Sequence, residues 1–186
     1  MATSSSGFAA AGLRAAIARS VRLCAAVLVV SVGAADLADY SGIWRLDPAK
    51  SADIPKAIDA ALAKENFAIR TMARGRLVKA NRVPKFVFIG QADNQTTVSF
   101  DEKKGPTAPS DGRTIVWTRP DGRQYRLRIA LESGVLVQSY KAEHGTRVNR
   151  FALSPDGRIL FMDVTVSSPR LESSIVYRLV FRKDGT

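Results

Sequence analysis

The feature that most limits what this chain can fold into is a repeated exchange of short β-prone runs for Pro/Asp/Gly turns, sustained from Pro84 almost to the end. Residues 85–89 and 96–100 flank a turn at 90–94, and residues 114–118 lead into Pro120-Asp121-Gly122. The runs 123–131, 135–141, 146–153, 158–166 and 174–182 follow, separated by Glu132-Ser133-Gly134, Glu143-His144-Gly145, Ser154-Pro155-Asp156-Gly157 and a loop at 167–172. Strand formers interrupted by turn residues about every ten positions make an antiparallel meander, closed as a barrel or stacked as a sandwich. Alternation is clearest where Tyr125, Leu127, Ile129 and Leu131 share one face and Gln124, Arg126 and Arg128 the other, because successive strand side chains point to opposite sides. The expected fold class is all-β and antiparallel, of about 8–10 strands.

Two segments depart from the meander. Residues 40–46 read as a first strand, and residues 51–73 as a helix. Ser51 and Asp53 are cap candidates, Pro55 suits the first turn, and Ile54, Ile58, Ala61, Leu62, Ile69 and Met72 recur at helical spacing, with Gly75 as the expected end. One helical segment cannot form a core alone, so it is expected to cover an end or face of the sheet.

The first 35 residues differ in kind. Arg14, Arg19 and Arg22 precede the apolar run from Leu23 to Val32, and Gly33-Ala34-Ala35 precedes the first acid, Asp36. A positive segment, a short apolar core and a small-residue exit are the parts of a secretory signal. The apolar run is about a dozen residues, whereas a membrane-spanning helix needs roughly 20. The expected organisation is therefore a signal peptide at 1–35 and one domain at 36–186, exported to the periplasm or beyond, with no transmembrane segment after cleavage. Cutting there removes the only cysteine, Cys24, leaving a domain without disulfide, thiol nucleophile or thiolate metal site. Cys24 also precedes most of the apolar core, which a lipoprotein cysteine would follow.

The chain has 28 Lys plus Arg against 17 Asp plus Glu. Without the three signal arginines the formal charge would still be about +8, a balance that favours anionic partners. Scattered basic residues and expected export argue against nucleic acid.

Gly42-Ile43-Trp44 opens the domain, and Arg178 and Arg182 stand on its last strand. That combination resembles the calycin superfamily, the lipocalins and fatty-acid-binding proteins, and the order strand, helical segment, meander is similar to the latter. The resemblance implies closure of one barrel end by Gly42, Trp44, Arg178 and Arg182, since an indole face attracts a guanidinium. It also implies an antiparallel up-and-down barrel, an inward arginine at Arg150 and, at Arg178-Leu179-Val180, the arginine–tyrosine pattern that holds a ligand carboxylate. Val180 departs from the family's arginine–tyrosine pattern. The opening Ser41–Ser51 also resembles exported bacterial lipocalin-like domains of unassigned function.

Catalytic chemistry finds little support. His144, the single histidine, sits in a turn, and most carboxylates are turn formers. Asp163 is mid-strand with Ile159, Phe161 and Thr165, where an arginine is the natural partner. No metal spacing, nucleophile motif, cofactor or phosphate loop is evident. The expected function is non-covalent binding of a small hydrophobic or amphipathic anion, such as a fatty acid. Arg150, with Arg126 or Arg178, would meet the charge; Trp44, Phe86, Phe88, Trp117, Tyr125 and Phe161 would line the cavity. On the last strand the apolar face of Ile175, Tyr177, Leu179 and Phe181 competes with Arg178 for the inward direction. The alternatives are a non-catalytic envelope or inhibitor-like barrel without a small ligand, and, behind it, an enzyme using Asp163 or His144.

Overall fold

A computed structural model describes residues 39–101 and 103–185. The expected signal segment, Cys24 included, lies outside these residues.

Ten strands form one antiparallel sheet: β1 (Gly42–Leu46), β2 (Phe86–Ala92), β3 (Gln95–Phe100), β4 (Thr107–Pro109), β5 (Asp111–Thr118), β6 (Gln124–Glu132), β7 (Val135–Ala142), β8 (Gly145–Leu153), β9 (Ile159–Ser167) and β10 (Ile175–Lys183). Each strand pairs with its sequence neighbour, except that β4 and β5 do not pair and β1 joins β10, giving the order β4-β3-β2-β1-β10-β9-β8-β7-β6-β5. The sheet curls until short β4 lies against β5 and β6, a nearly closed barrel. The expected order of strand, helical segment and meander is the order observed.

The helical segment is two helices, α1 (Ile54–Ala61) and α2 (Phe67–Ala80), joined by a 3-10 turn at Leu62–Lys64. Asp53 caps α1 by accepting from the Lys56 N–H at 3.1 Å, with Pro55 in the first turn, as the sequence suggests. A single helix over 51–73 is not what forms. Glu65 and Asn66 adopt extended backbone angles, and Asn66 then caps α2 by accepting from the Ile69 N–H at 2.9 Å. Gly75 lies inside α2, which runs on to its cap residue Asn81. Ile54, Ile58, Ala61 and Leu62 are buried with the sheet's core, whereas no residue of α2 is fully buried. Among the described residues, no helix is long and apolar enough to cross a membrane.

One end of the barrel is plugged by Tyr40 and Trp44, both fully buried. The Trp44 indole Nε1–H donates to the Tyr40 carbonyl at 2.9 Å, and the Tyr40 hydroxyl reaches the carbonyls of Gly134 and Phe151 across the barrel. Trp44 stands opposite Lys183, whose ammonium lies 5.5 Å from the indole centroid, a cation–π contact. Gly42 is needed beside it: its φ is +135°, and a Cβ there would sit 3.3 Å from Lys183 Cε.

The expected closure by Arg178 and Arg182 is corrected here. Arg182 turns outward to Asp47 at 2.9 Å, and Arg178 grips Asp163 at 2.6 and 2.8 Å. Period-two alternation decides the matter, because Ile175, Tyr177, Leu179 and Phe181 take the inner face and carry Lys183 in with them. Replacing Trp44 with Ala should cost about 3–5 kcal/mol, read from urea unfolding; a loss under about 1 kcal/mol would show that the plug is not what holds this end.

Candidate functional site

At the other end of the barrel, polar side chains enter the interior. Strand β8 turns Phe151 and Asn149 fully inward, and the same parity carries Arg147 in behind them. Its guanidinium donates to Asn149 Oδ1 from Nε at 2.9 Å and to Asn81 Oδ1 from Nη1 at 3.0 Å. Asn149 in turn donates from Nδ2 to Gln138 Oε1 at 2.9 Å, and the Tyr177 hydroxyl donates to Asn81 Oδ1 at 3.3 Å. All of Arg147's hydrogen-bonding amide partners are neutral, and no carboxylate among the described residues lies within ion-pair distance of it. Gln138 is fully buried, yet its Nε2 has no hydrogen-bond partner. A buried donor without an acceptor is costly.

Two phenols face this cluster. Burial pushes Tyr140 well above the ordinary tyrosine range, against the opposing pull of Arg147 and Arg119. Gln138 beside it pulls the same way. Burial likewise raises Tyr177, again opposed by Arg147. Both phenols are thus neutral at ordinary pH, and the local charge is Arg147's. Trp117, Tyr125 and Tyr140 pack together with ring centroids 5.8–6.2 Å apart, forming an aromatic wall on β5–β7.

The helical lid is fastened to this cluster. Asn81, the cap of α2, uses its own backbone N–H and Nδ2 to close the helix on the Leu77 carbonyl, both at 2.9 Å, and its Oδ1 to bind Arg147 and Tyr177. Across from α2, the loop at 168–171 is anchored where buried Glu65 accepts the Glu172 N–H at 2.7 Å. Between them opens a hollow of about 420 Å³, lined by Ile69, Met72, Leu77, Leu171, Arg76 and Arg170, with His144 and Ser168 at its edge. Leu77 lies one turn before Asn81, so the hollow adjoins the lid's attachment to Arg147.

The structure redistributes the residues singled out in the sequence. Trp117 and Tyr125 face inward and belong to the aromatic wall. Arg150, Arg126 and Arg178 do not face the interior. Arg150 is exposed, 3.8 Å from Glu132; Arg126 is exposed on the outer face; Arg178 lies over the Phe161 ring at 5.5 Å, outside the sheet with its partner Asp163. Phe161, Phe86 and Phe88 share that outer parity, so they do not line the interior. Trp44 is interior but in the plugged end. Asp163 does have the expected arginine partner. His144 is exposed, with the Glu143 carboxylate 3.7 Å from its Nε2.

Sequence reasoning missed Arg147, Asn149, Gln138 and Asn81. The available signal was parity on β8: Phe151 and Leu153 form its heavier apolar side, and a face bearing Phe151 must also carry Asn149 and Arg147. Placing Arg150 by family likeness chose the opposite side.

No protein-family model matches the chain, and no curated protein does. Solved structures with similar topology include the REP1-NXSQ fatty acid transporter, at 15% identity over 78% of this chain and 96% of that one, with a TM-score of 0.49. Apo lipid binding protein 8 of Caenorhabditis elegans matches at 18% identity over 78% and 95%, TM-score 0.48. Fatty-acid-binding protein 1 of Echinococcus granulosus matches at 14% identity over 78% and 98%, TM-score 0.47.

Proposed function

We propose that this chain is an exported, lipocalin-like barrel that binds a small hydrophobic or amphipathic anion without covalent chemistry. The observation that carries the reading is Arg147: a guanidinium turned into the barrel mouth, held by amide oxygens, with no acid beside it and with an unsatisfied donor, Gln138 Nε2, in the same hydrogen-bonded chain. Donors lacking an acceptor in a partly desolvated site favour an anionic oxygen, where charge-assisted hydrogen bonds are about twice as strong as neutral ones. A carboxylate or phosphate meets Arg147 and Gln138 Nε2, while the neutral Tyr177 hydroxyl keeps its proton on Asn81. The apolar tail lies toward Leu77, Met72, Ile69 and Leu171 in the adjoining hollow, because the plugged end is filled by its own side chains. Arg76 and Arg170 at that hollow add to the attraction for anions.

The filled lower core is also what a barrel without any small ligand would have, and binding separates the two readings. Wild-type protein should bind a dansyl-labelled fatty acid, followed by fluorescence. Arg147→Ala should weaken that binding by roughly tenfold or more, while Arg150→Ala and Arg178→Ala should change it by less than about twofold, as expected of exposed pairs. No binding by wild type, or equal affinity in Arg147→Ala with its thermal unfolding unchanged, contradicts the assignment. For export, N-terminal sequencing of protein from the envelope fraction should begin directly after Ala34 or Ala35; an intact Met1 confined to the cytoplasm contradicts it.

A further inference from the structure

The outer side of β5–β7 carries two features that ligand binding at Arg147 does not use. First, β5 ends the sheet. It pairs with β6 on one side only, and on the other the three-residue β4 stops at Pro109, so no strand among the described residues pairs with residues 114–118 there. Arg128 covers the start of this edge by donating to the Gly112 carbonyl at 2.9 Å; beyond the irregularity between Asp111 and Thr114 the edge is open. Its run Thr114-Ile115-Val116-Trp117-Thr118 is uncharged and rich in β-formers, and Val116 is 66% exposed. Unpaired N–H and C=O groups along such a strand are a template for another strand.

Second, Arg126 and Lys141 stand directly opposite each other on β6 and β7. Like charges directly opposite across a sheet are destabilising, and neither has a carboxylate within ion-pair distance among the described residues. Both line a hollow of about 450 Å³ with Val116, Gln124 and Glu143. Val116 is the cross-strand partner of Arg126, so the hollow begins at the open edge. Arg113 and Arg119 bracket that edge, held only by exposed pairs with Asp111 at 3.2 Å and Asp121 at 3.7 Å.

We infer that β5 accepts an extended, acidic segment of a partner protein as an added strand, its carboxylates reaching across Val116 to Arg126 and Lys141. Charge decides the occupant. A second copy paired antiparallel about Val116 would set Arg113 against the other copy's Arg119 at both ends, and like charges there disfavour it. An acidic strand reverses that sign at each position, while the backbone ladder supplies affinity without demanding a particular sequence.

The test uses a fluorescein-labelled peptide of alternating Glu and Val, with a Lys-and-Val peptide as its control. Wild-type protein should raise the anisotropy of the acidic peptide only, with an affinity that falls as salt rises. The peptide should slow hydrogen exchange at alternate amides of residues 114–118. Arg126→Glu combined with Lys141→Glu should weaken binding by about tenfold or more, and Lys141→Ala alone should do so to a lesser degree, which keeps the test intact if the double variant unfolds. Equal binding of the Lys peptide, unchanged affinity in Lys141→Ala and the double variant, or no protection of 114–118 overturns the inference. So does protection of those amides in a dimer formed without peptide.

Discussion

The upper half of this barrel depends on how an arginine is kept in its mouth. Arg147 points inward because β8 must bury Phe151, and strand parity leaves it no other direction. An unpaired buried charge costs several kcal/mol even after relaxation; this one is only part-buried, and oriented amide oxygens offset part of the remainder. Asn149 fixes the guanidinium from the strand and Asn81 from the lid. The same contact therefore holds a charge and fastens a helix. Because α2 buries no residue completely, Asn81 is its firmest link to the sheet.

The two ends of the barrel divide the work. At the plugged end, the Tyr40 hydroxyl bridges from the entering chain to Gly134 in the β6–β7 turn and to Phe151 on β8, Trp44 donates to the Tyr40 carbonyl, and Lys183 lies on the indole. Tyr40 and Trp44 are fully buried, and their polar hydrogens are satisfied within the protein. At the open end the interior is polar, one donor is unsatisfied and the covering helix is lightly packed. Such a gradient in local stability is where binding sites and lids are found. The ion pairs on the outer surface are mostly exposed arginine–aspartate pairs, such as Arg45 with Asp184 and Arg74 with Asp59, which contribute little to stability.

The meander was legible because its turns announce themselves: Pro120-Asp121-Gly122 and Ser154-Pro155-Asp156-Gly157 can do little else. The helix start at Asp53 was equally plain. The break between α1 and α2 was harder, since apolar spacing runs on through it and only the cap at Asn66 marks the second start. The outermost β4 was missed inside a loop rich in Gly and Pro, because three residues give no periodicity. The candidate site was legible only in kind. The resemblance pointed to Arg150 as the inward arginine, and the structure turns Arg150 outward and Arg147 inward, because the two lie on opposite faces and a likeness of order without alignment does not fix parity. Burial of Phe151 and Tyr177 fixes it.

Whatever anion Arg147 holds should accompany the protein when it is purified. Native mass spectrometry of material taken from its own cells, followed by organic extraction, should reveal one anionic amphiphile per chain, and the Arg147→Ala protein should lose it. Wild-type protein that carries no such molecule, and takes none up when offered fatty acids, would contradict the claim that Arg147 waits for an anion.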